Sequence, residues 1–268
     1  MLNYNKNMLN ANFTYKNFAA VLNKYQYNFN IGDIIAGTIF SIEDRCILVD
    51  IGAKIVGHLP IEEIDYIKNE HSYHNIQLNE TRELYITMFD SETNQIILSI
   101  KKVNLLKSWK RIRQIYAENI ILRTQIVKLN KGGCIVKCEN LKGFIPKSHM
   151  IDLKQSQDLL HNNTMLVTIL EFNEIHNYLL LSSKCAYIKQ NLNYFRVGKI
   201  FEGTIESIHS YGLFVNVEKL QGLLHVSEIL KSPEQTLNEI FHKGQTIQVM
   251  IIHVDINTGR IAFSQKAK

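Results

Sequence analysis

Apolar and polar residues alternate in short runs along most of this 268-residue chain. In residues 211–217, Leu213, Val215 and Val217 alternate with Phe214 and Asn216, the period of two that marks a half-buried strand. Ile205 and Ile208 precede that run, and Thr246 to Val254 and Arg260 to Ser264 follow as two more β-rich stretches. The turn sequence Asp255-Ile256-Asn257-Thr258-Gly259 joins the last two as a hairpin. Ser232 to Phe241, polar with sparse apolar residues, suits a short helix or loop. Some five antiparallel strands within roughly 70 residues predict a small closed barrel, most commonly an OB-fold.

The unit recurs. Leu98-Ser99-Ile100-Lys101, Leu181-Ser182-Ser183-Lys184 and Phe263-Ser264-Gln265-Lys266 end three segments, with serines 83 and 82 residues apart. Each segment also carries a glycine before an apolar pair: Gly57-His58-Leu59-Pro60, Gly143-Phe144-Ile145-Pro146 and Gly222-Leu223-Leu224-His225. The fold class is therefore mainly β, with three tandem five-stranded OB-fold barrels over 30–102, 117–186 and 196–268. Linkers at 103–116 and 187–195 join them, and residues 1–29 form an N-terminal extension. Val103 to Tyr116 places Leu106, Trp109, Ile112 and Tyr116 at near-helical spacing, whereas Tyr187 to Tyr194 reads as a shorter polar linker. Phe13 to Tyr27, with Phe18, Val21, Leu22 and Tyr25, predicts a helix that docks on a partner or caps the first barrel.

Composition narrows the class. A 46% hydrophobic chain with only 13 Gly and 4 Cys is neither disordered, collagen-like nor a disulfide scaffold. No apolar run approaches 18 residues, so no membrane partner is expected. The first 30 residues fit neither a secretory signal nor an Arg-rich transit peptide, which predicts work in the compartment of synthesis. Cys46, Cys134, Cys138 and Cys185 lack C-x-x-C spacing and read as free thiols. The 37 Ile, 26 Asn and 23 Lys against 9 Ala and 7 Arg follow A/T-rich codons, as in an organelle or a reduced genome. Charge is uneven: residues 1–102 carry 9 basic and 12 acidic groups, 103–195 carry 13 and 6, and 196–268 carry 8 and 7. An acidic first third and a basic middle predict different partners.

If Leu213, Val215 and Val217 face the core, Phe214 faces outward, and a bulge at Gly212 would turn Tyr211 to the same surface. Two outward aromatics suit the stacking of unpaired bases, unless a neighbouring barrel or the 232–241 segment covers them. His225 follows the glycine turn, and Asp255 and Arg260 flank the last hairpin. An arginine can pair with phosphate or lie on a base, and Asp or His can read base or sugar edges. Lys128, Lys131, Lys137, Lys142 and Lys147 in the second unit could contact phosphates without stacking. His71-Ser72-Tyr73-His74 lacks further ligands and reads as a polar loop. The sequence shows no P-loop, nucleophile elbow or plausible pair of carboxylates, so no catalysis, cofactor or metal is expected.

These residues resemble the S1 RNA-binding domain, an OB-fold variant. The likeness runs from Gly203-Thr204-Ile205 through Tyr211-Gly212-Leu213-Phe214-Val215 and Gly222-Leu223-Leu224-His225-Val226-Ser227 to Asp255, Gly259-Arg260-Ile261 and Ser264. Residues 13–266 as a whole resemble the ribosomal S1 family of the small subunit, in the short three-domain form of cyanobacteria and plastids. That match lies in Phe40-Ser41, Asp50-Ile51-Gly52-Ala53-Lys54, Ser108-Trp109-Lys110-Arg111-Ile112-Arg113-Gln114 and Leu141-Lys142-Gly143-Phe144-Ile145-Pro146. The resemblance implies single-stranded messenger RNA as ligand, bound by Tyr211, Phe214, His225, Asp255 and Arg260. It also implies a non-enzymatic role in translation initiation, docked on small-subunit proteins and rRNA through the N-terminal helix and first domain. The implied location is the plastid stroma, organelle-encoded, or alternatively the cytoplasm of an A/T-rich bacterium. A ribosome-free protein of RNA decay or transcription is the competing function. At the matching places the first unit has Arg45, Leu48, Pro60, Asp90 and Gln95, and the second Lys131, Cys134, Pro146, Asn173 and Tyr178. Neither is expected to stack bases through an aromatic pair.

Overall fold

A computed structural model describes residues 29–53, 55–64, 76–90, 95–151, 164–230 and 236–266. The segment Phe13 to Tyr27, expected to be a docking helix, and His71 to His74 lie outside them. The chain divides into two compact units, residues 1–106 and 107–268.

The first unit holds one closed barrel of β1 (Ile34–Ile42), β2 (Cys46–Asp50), β3 (Val56–Pro60), β4 (Thr81–Asp90) and β5 (Gln95–Ser99). Its strand order is β1-β2-β3-β5-β4, with β3 and β5 parallel and the other neighbours antiparallel. Alternation does the sorting: Ile39, Val49, Leu59, Leu84, Ile86, Ile96 and Leu98 all point inward and are fully buried.

The second unit repeats that topology twice. One barrel comprises β6 (Leu122–Asn130), β7 (Gly133–Cys138), β8 (Leu141–Pro146), β9 (Thr164–Asn173) and β10 (Tyr178–Ser182). The other comprises β11 (Ile200–His209), β12 (Gly212–Val217), β13 (Leu220–His225), β14 (Thr246–Asp255) and β15 (Arg260–Ser264).

The repeated sequence landmarks have physical causes. Where the parallel pair closes each barrel, a Cβ on the glycine would strike a core side chain. It would lie 2.5 Å from Leu98 at Gly57, 2.6 Å from Leu181 at Gly143 and 2.3 Å from Phe263 at Gly222. The recurrent serines are buried and tie down the chain as it leaves the last strand. Ser99 Oγ accepts from Lys102 N at 3.0 Å, Ser182 Oγ from Cys185 N at 3.1 Å, and Ser264 Oγ from Lys266 N at 2.9 Å.

The connectors are both helices: α1 (Ile100–Ala117) and α2 (Ser183–Gln190). In α1 the buried apolar residues are Ile100, Val103, Trp109, Ile112 and Ile115, while Leu106 and Tyr116 are exposed, so the expected apolar face is rotated. Tertiary contacts fix this phase: Trp109 stacks on Phe172 at 6.2 Å and its Nε1 donates to Asn177 Oδ1 at 3.3 Å. The second connector is also less polar than its sequence suggests. Cys185, Ala186 and Ile188 of α2 are buried, and Ile188 belongs to the core of the last barrel.

All four cysteines are free thiols, and burial, aided by Glu139, pushes Cys138 up to about 12. No described helix is long and apolar enough to cross a membrane.

Candidate nucleic-acid interface

Tyr211 and Phe214 occupy one corner of the last barrel, where β11 turns into β12. His209 pairs with Gly212 across a two-residue hairpin, so Tyr211 sits in the turn itself. The bulge expected at Gly212 instead lies in β11, where the register shifts between Ile205 and Ser207 opposite Phe214. Gly212 is required for a different reason: a Cβ there would stand 2.4 Å from the Leu224 carbonyl oxygen. Phe214 projects outward, half-buried, from the strand whose Leu213, Val215 and Val217 fill the core. Tyr211 remains 47% exposed, so its ring is open to a ligand. The short helix α3 (Leu237–Ile240) turns Leu237 into the core.

The two rings meet edge to face, with centroids 6.3 Å apart and planes at 88°. A third ring, missed in the sequence, completes the corner. His209 stacks on Tyr211 at 5.3 Å and 12°, and meets Phe214 edge-on at 5.3 Å. Its Nε2 hydrogen-bonds with Ser207 Oγ at 3.1 Å, which fixes the ring plane. The available signal was its place at the strand end two residues before Tyr211.

His225 pairs with Gly212 across β12 and β13, which puts it beside this corner. The Ser227 N–H donates to His225 Nδ1 at 3.2 Å, leaving Nε2 as the ring's donor for a base or ribose edge. Arg260, exposed at the start of β15, lines a cleft with Phe214. Asp255 is engaged differently. Its Oδ1 accepts from Asn257 N at 2.9 Å and Thr258 N at 3.2 Å, and its Oδ2 from Thr258 Oγ1 at 2.6 Å. Those bonds, above all Thr258's, hold its carboxyl below the usual carboxylate range. Asp255 thus shapes the turn that aims Arg260, its cross-strand partner.

In the middle barrel the register moves two counterparts by one residue from the sequence reading. Asn130 pairs with Gly133 as His209 does with Gly212, so Gly132 and Ile135 stand where Tyr211 and Phe214 do. Cys134 is a core residue, fully buried. Lys128, Lys131, Lys137, Lys142 and Lys147 are all exposed. Lys137 and Lys142 are direct cross-strand partners, a like-charge pairing that an anion would relieve. In the first barrel Arg45 is exposed, Leu48 and Pro60 are half-buried, and Asp90 pairs with Gln95 through the backbone.

The family described as S1 RNA binding domain matches residues 28–101 and 194–266, the first and last barrels. Over 96% of its length the chain is 42% identical to small ribosomal subunit protein bS1c of Pyropia yezoensis, covering 97% of that protein. It is 39% identical over 95% of its length to bS1A of a Synechocystis strain, covering 77% of it. It is 31% identical over 98% of its length to bS1c of Spinacia oleracea, covering 64%.

Proposed function

This chain belongs to the bS1 family of small ribosomal subunit proteins, and on that premise we propose that it is a non-enzymatic constituent of the small subunit that holds single-stranded messenger RNA and supports initiation. The observation that carries the RNA part is the three-ring corner of Tyr211, Phe214 and His209, beside His225 Nε2 and flanked by Arg260. Unpaired bases stack on such rings whatever their sequence, and the arginine meets the backbone. The exposed lysines of the middle barrel add phosphate contacts. The acidic first third would be repelled by phosphate, which suits docking of the N-terminal segment and first barrel on a protein of the subunit. The bS1c relatives and the A/T-rich residue usage support a plastid-encoded protein of the stroma.

The test is a titration of single-stranded RNA at fixed salt. Stacking contributes roughly 1–3 kcal/mol per base, so joint Tyr211→Ala and Phe214→Ala substitution weakens binding at least about thirty-fold. Leu48→Ala in the first barrel leaves affinity unchanged. Equal affinity for wild type and the double variant would refute the assigned corner. Co-sedimentation with small subunits tests the ribosomal part: recovery only in light fractions assigns the protein to RNA decay or transcription.

A further inference from the structure

Strands of the last barrel, the start of α2 and the turn that follows β8 of the middle barrel enclose an open cleft of about 540 Å³. Ser148 and His149 come from the middle barrel, Lys184 from α2, and Phe214, His253 and Arg260 from the last barrel. Every residue described as lining it is neutral or basic. The carboxylates that touch this neighbourhood are already engaged: Glu206 accepts from Gln221 Nε2 at 2.7 Å, and Asp255 is bound within its own turn.

Lys184 is the informative residue. It ends the Ser-x-Lys landmark, yet its counterparts do other things: Lys266 Nζ donates to the Ser227 carbonyl, and Lys101 is exposed. Lys184 Nζ instead crosses to the last barrel and donates to the Gln221 carbonyl at 3.1 Å. Two of its three ammonium donors remain for a ligand. Burial, and then Arg260, hold the Lys184 amine below its ordinary range. Burial, followed by Lys184 and Arg260, likewise lowers His149, whose Nδ1 is tied to Ser182 Oγ at 3.1 Å. The three groups thus share one field, and among the described residues no acidic side chain forms an ion pair with Lys184 or Arg260. Partly desolvated like charges are costly together, and an anion between them removes the cost.

We propose that this cleft holds a backbone phosphate of the same RNA strand whose base stacks on Phe214, with Lys184 and Arg260 as its ligands and His149 as the opposite wall. The inference rests on the stacking corner as the base site, because Phe214 belongs to both. Its new content is that the RNA footprint continues off the last barrel, across α2, toward the lysines of the middle one.

The experiment is a fluorescence-anisotropy titration of the full chain with labelled oligouridylate over a salt series. Lys184→Gln should weaken binding several-fold and make the dependence of log affinity on log salt shallower by about 0.7, one phosphate on a single strand. Lys184→Arg should keep the wild-type slope, and Phe214→Ala should weaken binding without changing it. A Lys184→Gln variant that melts like wild type and keeps the full slope overturns the phosphate site while leaving the stacking corner standing. A Phe214→Ala variant that binds like wild type refutes the corner instead. Should Lys184→Gln fail to fold, the imidazole resonances of His149 in the wild-type chain decide: oligouridylate must shift them, and unmoved resonances overturn the proposal.

Discussion

The second and third barrels share strand order, closure and landmarks but present opposite surfaces at the same corner. The last barrel has Tyr211, His209 and Phe214; the middle one has Gly132, Asn130 and Ile135 at those positions, amid lysines. The glycines make room there for another ring: a Cβ on Gly133 would stand 2.9 Å from the tip of Phe144, which projects from β8. One barrel presents a cluster of rings at that corner and the other a spread of lysines. The fold is thus a frame set by its interior, and chemistry is assigned by a handful of outward positions.

The largest expected effect tests whether the shared interior is equally tight. At Gly222 a methyl group would meet Phe263 at 2.3 Å and the Ile261 carbonyl at 2.7 Å, and backbone cannot step aside. At Gly143 the nearest atom is the flexible end of Leu181. Gly222→Ala should cost about 3 kcal/mol in urea unfolding and Gly143→Ala about 1 kcal/mol. Equal costs would break the comparison.

A smaller effect comes from transplanting the corner. Gly132→Tyr with Ile135→Phe should tighten RNA binding by roughly 1 kcal/mol, about fivefold, since stacking depends on rings and not on the barrel that carries them. A Cβ at Gly132 meets only Phe144, at 4.0 Å, so a side chain can start from that position without a clash. Unchanged affinity in anisotropy would show that the middle barrel's surface is closed to bases.

The smallest effect concerns acid. The Asp255 carboxyl titrates below its unfolded value, so its stabilising contribution is present above about pH 4 and is lost as pH falls through the lowered folded value. The same turn in the middle barrel uses Asn173, whose Oδ1 accepts from His176 N at 3.1 Å and does not titrate. Asp255→Asn should therefore flatten the last barrel's stability between pH 4 and 2, followed by circular dichroism.

The three barrels were legible in the sequence because their landmarks are forced by close approach and capping: a glycine where closing strands meet, a serine where the chain turns out. Phe214 was legible because strand phase alone turns a ring outward, whereas Tyr211 is exposed because it lies in the turn and not through the bulge expected at Gly212. Other features depend on contacts with distant residues. Trp109 and Asn177 rotate α1 so that Ile115 is buried and Tyr116 exposed. The consecutive glycines 132 and 133 left the middle barrel's register open by one residue until strand pairing closed it. The cleft of Lys184 and His149 exists only once α2 has seated one barrel against the next.

That seating has a kinetic and entropic consequence. Cys185 Sγ of α2 reaches the Asn257 carbonyl at 3.4 Å, and Ile188 is already part of the third barrel's interior. The ring corner and the lysines of the middle barrel are therefore joined through a packed helix and not a solvated tether. On the proposed function, a strand long enough to span both would engage the second at a high effective concentration, while a shorter oligonucleotide would feel only one weak contact. Affinity should rise in a step with oligonucleotide length, and the helix sets where that step falls.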